Sequence, residues 1–99
     1  MEDSTLKRVD FEIFGIVQGV FFRAHTRDKA KSLGVRGWCR NTRNGTVEGQ
    51  PEGNVNTIET MKDWLRTEGS PSSIIDKAVF KNEKEIKEYS FSPPFQIKQ

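Results

Sequence analysis

The segment from Gly15 to Arg23 combines glycines, main-chain amides and an arginine in a pattern suited to binding a tetrahedral anion. Gly15 and Gly19 allow backbone conformations in which successive amides point inward at an anion. Arg23 offers a planar pair of donors for bidentate contact with phosphate. The pattern predicts a phosphate site, although the same spacing is also compatible with a tight turn followed by a solvated arginine.

The common nucleotide-binding patterns are missing from this segment. Gly19 is not followed by the second glycine and the Lys-Ser/Thr pair of a Walker loop, and G-x-G-x-x-G is absent. A helix predicted to begin at Phe22 would instead place its unpaired N–H groups and positive dipole end beside the loop. These features together favour one tetrahedral anion as the ligand.

Asn41 is a second candidate, because its amide can both donate to and accept from a water molecule. An asparagine just before a turn also commonly bonds its own backbone. In a split βαβ sheet the first and third elements, both strands here, are expected to be neighbours, which would bring Asn41 near the loop that ends in Arg23.

His25 and Cys39 are weaker candidates. Each is the only residue of its type, so neither has a thiolate or imidazole partner for a metal site. His25 is interpreted as a solvated histidine and Cys39 as a small packed side chain. No pair of acidic residues indicates a general acid and base.

Hydrophobic periodicity predicts the elements that position these residues. Val9, Phe11 and Ile13 alternate as in a half-buried strand that ends near Gly15. A helix stripe follows from Phe22 to Leu33, and then strands over 35–41 and 46–49 joined by an Asn-Gly hairpin turn. A second helix capped by Asn54, a strand over 74–81 and a short strand around Phe95 and Ile97 complete the prediction.

The order strand, helix, strand, strand, helix, strand predicts an α+β fold: a ferredoxin-like two-layer sandwich with both helices on one face of an antiparallel sheet. The 99 residues suit one domain, with residues 1–8 as a flexible N-terminal segment. The RNA-recognition motif shares this topology, so a nucleic-acid-binding module remains an alternative.

Composition narrows the environment and the partners. Sixteen Lys and Arg against 14 Asp and Glu leave a net charge of +2 with no polybasic arm, which argues against nucleic acid. No apolar run is long enough for a membrane span, and the start of the chain lacks the apolar region of a signal peptide. A single cysteine suits the reducing cytoplasm, and a monomer is expected because the mixed charges give no sign of a partner surface.

Three groups of residues closely resemble the acylphosphatase family signature. They are Gly15-x-Val17-Gln18-Gly19-Val20-Phe21-Phe22-Arg23-x-x-Thr26, Leu33-Gly34-x-x-Gly37-Trp38-x-x-Asn41 and Gly45-x-Val47-x-Gly49. The similarity continues to Phe95-x-Ile97, and the chain looks like a eukaryotic common-type member. It departs from the family at Ile16, where Lys or Arg is frequent, and at Cys39, where valine is common.

The resemblance implies hydrolysis of acyl phosphates to a carboxylate and inorganic phosphate, without a metal or cofactor. It assigns phosphate binding to Arg23 and orientation of the attacking water to Asn41. The phosphate cradle would be made by main-chain amides of the loop: Gln18, Gly19, Val20, Phe21 and Phe22. A catalytically silent interaction domain on the same fold is a further alternative to the RNA-binding module.

Overall fold

The computed structural model describes residues 5–98, which form a five-stranded sheet and two helices. The elements are β1 (Leu6–Ile16), α1 (Phe22–Leu33), β2 (Arg36–Asn41), β3 (Val47–Asn54), α2 (Val55–Thr67), β4 (Ile74–Ile86) and β5 (Gln96–Ile97). The sheet order is β4-β1-β3-β2-β5, with β5 parallel to β2 and the other pairs antiparallel. This arrangement confirms the predicted ferredoxin-like fold.

Both helices bury the apolar stripes that periodicity predicted. α1 buries Phe22, Thr26 and Ala30, and it ends at Gly34 in the left-handed conformation that favours glycine. α2 buries Ile58, Met61, Trp64 and Leu65. The two helices meet where the rings of Phe22 and Trp64 lie 5.9 Å apart. The start of α1 is therefore anchored in the core.

One neighbour relationship in the sheet was predicted wrongly. β1 does not pair with β2, because β3 lies between them: the Cα of Val47 is in register with Ile13 on one side and with Asn41 on the other. The short hairpin turn requires β3 to lie beside β2, and the free edge of β3 then pairs with β1. Asn41 is thus one strand further from β1 than expected.

Three strands are longer than predicted, and one of them is β3, which was expected over 46–49 and runs over Val47–Asn54. β1 continues through Gly15 to Ile16, with a register irregularity between Phe14 and Gly15 that accommodates the glycine at a φ of 131°. β4 continues past Lys81 to Ile86, because its end pairs with the start of β1.

The segment 1–8 was predicted to be flexible. Residues 1–4 of that segment lie outside the described residues. Leu6 and Arg8 instead belong to β1 and lie in register with β3 on one side and β4 on the other, which corrects the prediction for this part. Within residues 5–98, no helix is long and apolar enough to cross a membrane.

The C-terminal segment joins the sheet through β5, which pairs with β2. Phe95 is buried in the core, and Ile97 pairs in register with Cys39 of β2. The amide of Lys98 donates to the carbonyl of Cys39 at 2.8 Å. This pairing brings the last strand to the side of the sheet that carries the start of α1.

Candidate active site

The loop between β1 and α1 has an unusual backbone. Gly19 has a φ of 76° and Phe21 a φ of 61°, so a phenylalanine occupies the left-handed region that bulky residues rarely adopt. Phe21 is the N-cap of α1 but makes no side-chain capping hydrogen bond. Within residues 5–98, the amides of Gln18 to Phe21 also have no hydrogen-bond partner. These donors are available to an anion.

Arg23 lies in the first turn of α1, beside those amides, and is half-buried. Among the described residues its guanidinium has no hydrogen-bond or ion-pair partner. Its carbonyl oxygen accepts a hydrogen bond from Cys39 Sγ at 3.9 Å, which links the start of α1 to β2. The positive charge of Arg23 is therefore not neutralised by a nearby carboxylate.

A pocket of about 430 Å³ opens at this loop. It is lined by Val17, Gly19, Phe21, Phe22, Arg23, Ala24 and Ile97. Three of the five predicted cradle residues, Gly19, Phe21 and Phe22, therefore line the pocket together with Arg23. Val20 instead packs against the core, and Gln18 turns its side chain elsewhere.

The side chain of Gln18 connects the loop to the β2–β3 hairpin. Its Nε2 donates to the carbonyls of Thr42 and Thr46, both at 2.9 Å. The Thr46 hydroxyl in turn donates to Glu12 Oε2 at 2.7 Å. These contacts place Asn41, next to Thr42, beside the loop although β3 separates β1 from β2.

Asn41 lies at the end of β2 and carries an unsatisfied polar atom. Its Oδ1 is buried and has no hydrogen-bond partner among the described residues. It lines a second pocket, of about 590 Å³, with Glu12, Arg40, Thr42, Arg43, Asn44 and Glu48. A buried acceptor without a partner is uncommon in native structures and indicates a water or ligand contact.

Two sequence candidates do not join the site as reactive groups. Burial raises the pKa of Cys39 from 9.0 to about 12, although the positive charges of Arg23 and Arg27 oppose the shift, so the thiol stays protonated at neutral pH. His25 is exposed, and its Nδ1 lies 3.0 Å from the carbonyl of Phe21. Within residues 5–98, no three or more His, Cys, Asp or Glu side chains group as metal ligands.

Comparison with known proteins identifies the family. A family model described as Acylphosphatase matches residues 9–97. The chain is 54% identical over 96 residues to Acylphosphatase-1 from Homo sapiens, an alignment that covers 97% of this chain and 96% of that protein. The chain belongs to the acylphosphatase family.

A second relative and a solved structure agree with the assignment of this chain to the acylphosphatase family. Acylphosphatase-2 from Homo sapiens is 51% identical over 88 residues, covering 89% of each chain. The solved structure of an acylphosphatase from Coxiella burnetii superposes with a TM-score of 0.82 at 30% identity, covering 99% of this chain and 98% of that one. The protein is an enzyme that hydrolyses acyl phosphates and releases inorganic phosphate, and the RNA-binding alternative is not favoured.

Sequence reasoning missed two residues of the candidate site, Gln18 and Ile97. The Gln18 side chain was not assigned a role, and only the fold brings it within hydrogen-bond distance of the Thr42 and Thr46 carbonyls. Ile97 reaches the pocket from the far end of the chain, and no local pattern marks it. Only strand pairing between β2 and β5 brings it there.

Proposed function

We propose that Arg23 and the main-chain amides of Gln18 to Phe22 bind the phosphoryl group of the acyl phosphate, and that Asn41 orients the attacking water. The observation that carries the proposal is the start of α1, where unpaired amides and an unpaired guanidinium meet in one pocket. Helix N-termini bind phosphate through the same donors and the same dipole.

The chemistry of the substrate suits this set of groups. The leaving group is a carboxylate, which is stable as an anion near neutral pH, so no strong general acid is required. Phosphoryl transfer passes through a loose transition state with charge spread over the phosphoryl oxygens, and catalysis depends on positioning and charge stabilisation. Arg23 and the loop amides can supply both.

Asn41 is proposed to hold the nucleophile. Its buried Oδ1 would accept a hydrogen bond from water, which attacks phosphorus as the bond to the acyl oxygen breaks. The carboxylate leaves with the bonding electron pair, and a phosphoryl oxygen accepts the proton of the water. The proposed step uses no metal ion and no cofactor.

Substitution of Arg23 tests the proposal. Arg23→Gln should lower kcat/KM for benzoyl phosphate by about 100-fold or more, in line with the loss of one preorganised donor to a developing oxyanion. The assay measures phosphate release with a chelator present, and thermal unfolding verifies that the variant is folded. Arg27→Gln, a change of the same kind on the same helix, is the matched control and should keep most of the activity. Near-wild-type turnover by Arg23→Gln would refute the assignment.

We further propose that residues 1–99 act as one domain, as a monomer in the cytoplasm and without a nucleic-acid partner. The support is indirect: the net charge is only +2, the signs are mixed along the chain, and the single cysteine is buried. Sedimentation at micromolar concentration tests the monomer, and a salt-dependent RNA affinity would contradict the absence of a nucleic-acid partner.

A further inference from the structure

The pocket at Arg23 has an apolar wall that the phosphoryl group does not use. Phe21, Ala24 and Ile97 line the pocket together with the donors of the loop. The Phe21 side chain is 77% exposed, more than the other two exposed large apolar side chains in residues 5–98, Ile16 at 54% and Ile74 at 56%. The wall is therefore open to a ligand.

Phe21 combines an exposed ring with a strained backbone. Its ring adds no buried apolar area to the fold, and its φ of 61° lies in the left-handed region, where a bulky side chain is strained. A glycine at this position would relieve the backbone strain. An exposed aromatic ring on a strained residue at the mouth of a pocket indicates a binding role.

The in-line geometry of phosphoryl transfer places the acyl group on this apolar wall. In phosphoryl transfer the attacking and leaving oxygens lie roughly in line on opposite sides of phosphorus. Asn41 lines the polar pocket, among charged side chains such as Glu12 and Arg40, and not the pocket of Phe21. If water attacks from the side of Asn41, the acyl group leaves on the side of Phe21.

We propose that the side chain of Phe21, with Ala24 and Ile97, binds the acyl group of the substrate and selects aromatic or bulky apolar acyl phosphates over small ones. This inference rests on the proposed phosphate site. The wall offers no cation to a charged acyl group, since Arg23 is engaged by the phosphoryl group and Ile16, which precedes the loop, is apolar. Phe21 is thus a specificity-determining residue.

The test compares kcat/KM for benzoyl phosphate and acetyl phosphate in the wild type, Phe21→Gly and Phe21→Leu. Glycine keeps the main-chain amide, tolerates the left-handed conformation and adds no side-chain acceptor that would compete at the start of α1. Phe21→Gly should lower the benzoyl-to-acetyl ratio roughly tenfold, and Phe21→Leu should lower it by less. Inhibition by inorganic phosphate should stay unchanged in both variants.

Ile74→Asn is the matched control, because Ile74 is exposed and apolar but does not line the pocket. The benzoyl-to-acetyl ratio of kcat/KM in Ile74→Asn should equal that of the wild type. An unchanged ratio in Phe21→Gly, or an equal loss with both substrates, would overturn the role of Phe21 while phosphate inhibition still supported the phosphate site. Failure of the phosphate site itself would appear separately, as retained turnover in Arg23→Gln.

Discussion

The distinguishing feature of Asn41 is a buried side-chain oxygen without a hydrogen-bond partner in residues 5–98. Its Oδ1 has no partner among the described residues, whereas the nearby Gln18 amide is held by two carbonyls. An unsatisfied buried acceptor costs about 1–3 kcal/mol, so its retention at the end of β2 is best explained by a bound water. The two amide side chains near the loop therefore differ in their contacts: Gln18 is bound to the hairpin backbone, and Asn41 Oδ1 is left without a partner within the described part of the chain, as its proposed role requires.

Replacing Asn41 should separate turnover from phosphate binding. Asn41→Ala removes the proposed acceptor for water but leaves Arg23 and the loop amides in place. We expect kcat for benzoyl phosphate to fall by about 100-fold, while the inhibition constant of inorganic phosphate changes by less than about threefold. Loss of phosphate inhibition in a folded variant would place Asn41 in the anion site instead.

Cys39 provides a residue-scale prediction for stability. Its pKa is raised by burial from 9.0 to about 12, so above about pH 9 the thiol ionises only in the unfolded chain. As the pH rises through this range, the wild type should lose unfolding free energy relative to Cys39→Val, by roughly 1 kcal/mol per pH unit. Urea unfolding of both proteins near pH 8 and pH 10 measures the difference. Parallel stability curves would show that the thiol ionises equally in both states.

The two helices start in different ways. Asn54 caps α2 by accepting a hydrogen bond from the amide of Asn56 at 2.8 Å. α1 starts at Phe21 with no side-chain cap, next to Arg23. A side-chain cap commonly adds about 1 kcal/mol of stability, so α1 lacks a stabilising contact that α2 has. The uncapped start of α1 leaves its first amides without a side-chain partner among the described residues, as the proposed phosphate site requires.

Glu52 links three parts of the chain. This fully buried carboxylate of β3 accepts from Arg8 Nη1 at 3.0 Å and from the amides of Ser90 and Phe91 at 2.8 and 3.3 Å. It therefore ties β1 to the segment that leads into β5. The ion pair with Arg8 is only partly shielded, since the Arg8 side chain is 20% exposed.

Glu52→Gln should destabilise the fold, because Arg8 loses its charged partner in a partly buried position. We expect a loss of about 3 kcal/mol of unfolding free energy, measured by urea denaturation. Glu48→Gln, which removes the exposed ion pair with Arg40, is the control and should cost less than about 1 kcal/mol. Equal effects of the two substitutions would contradict the proposed link.

At the scale of the whole molecule, ligand binding and folding are coupled. The pocket of the proposed phosphate site joins residues of the β1–α1 loop, α1 and β5, so it exists only in the folded chain. A ligand that binds only the folded state stabilises it by about 2.7 kcal/mol at one hundred times its Kd. Inorganic phosphate should therefore raise the Tm of the wild type, and above its Kd the rise should grow with the logarithm of the phosphate concentration.

Arg23→Gln is the control for this effect. The Tm of Arg23→Gln should change little when phosphate is added. A chloride salt at matched ionic strength should leave the Tm of both proteins unchanged. An equal rise in both proteins would point to a general salt effect and not to the site.

The sequence by itself determined the local features of this protein. Periodicity located both helices, the Asn-Gly pair located the hairpin, and the glycines before Arg23 located the loop, because each depends on interactions between residues close in the chain. The resemblance added the activity and the roles of Arg23 and Asn41. The family and the activity are supported by the comparisons, and the residue roles stay predictions.

Only the tertiary structure decided how distant segments meet. It placed β3 between β1 and β2, carried Ile97 into the pocket of Arg23, and connected Gln18 to the hairpin. Each of these depends on strand pairing or a hydrogen bond between residues far apart in sequence. Such contacts form because the whole sheet satisfies its hydrogen bonds and buries its apolar face at once, and no short segment encodes that outcome.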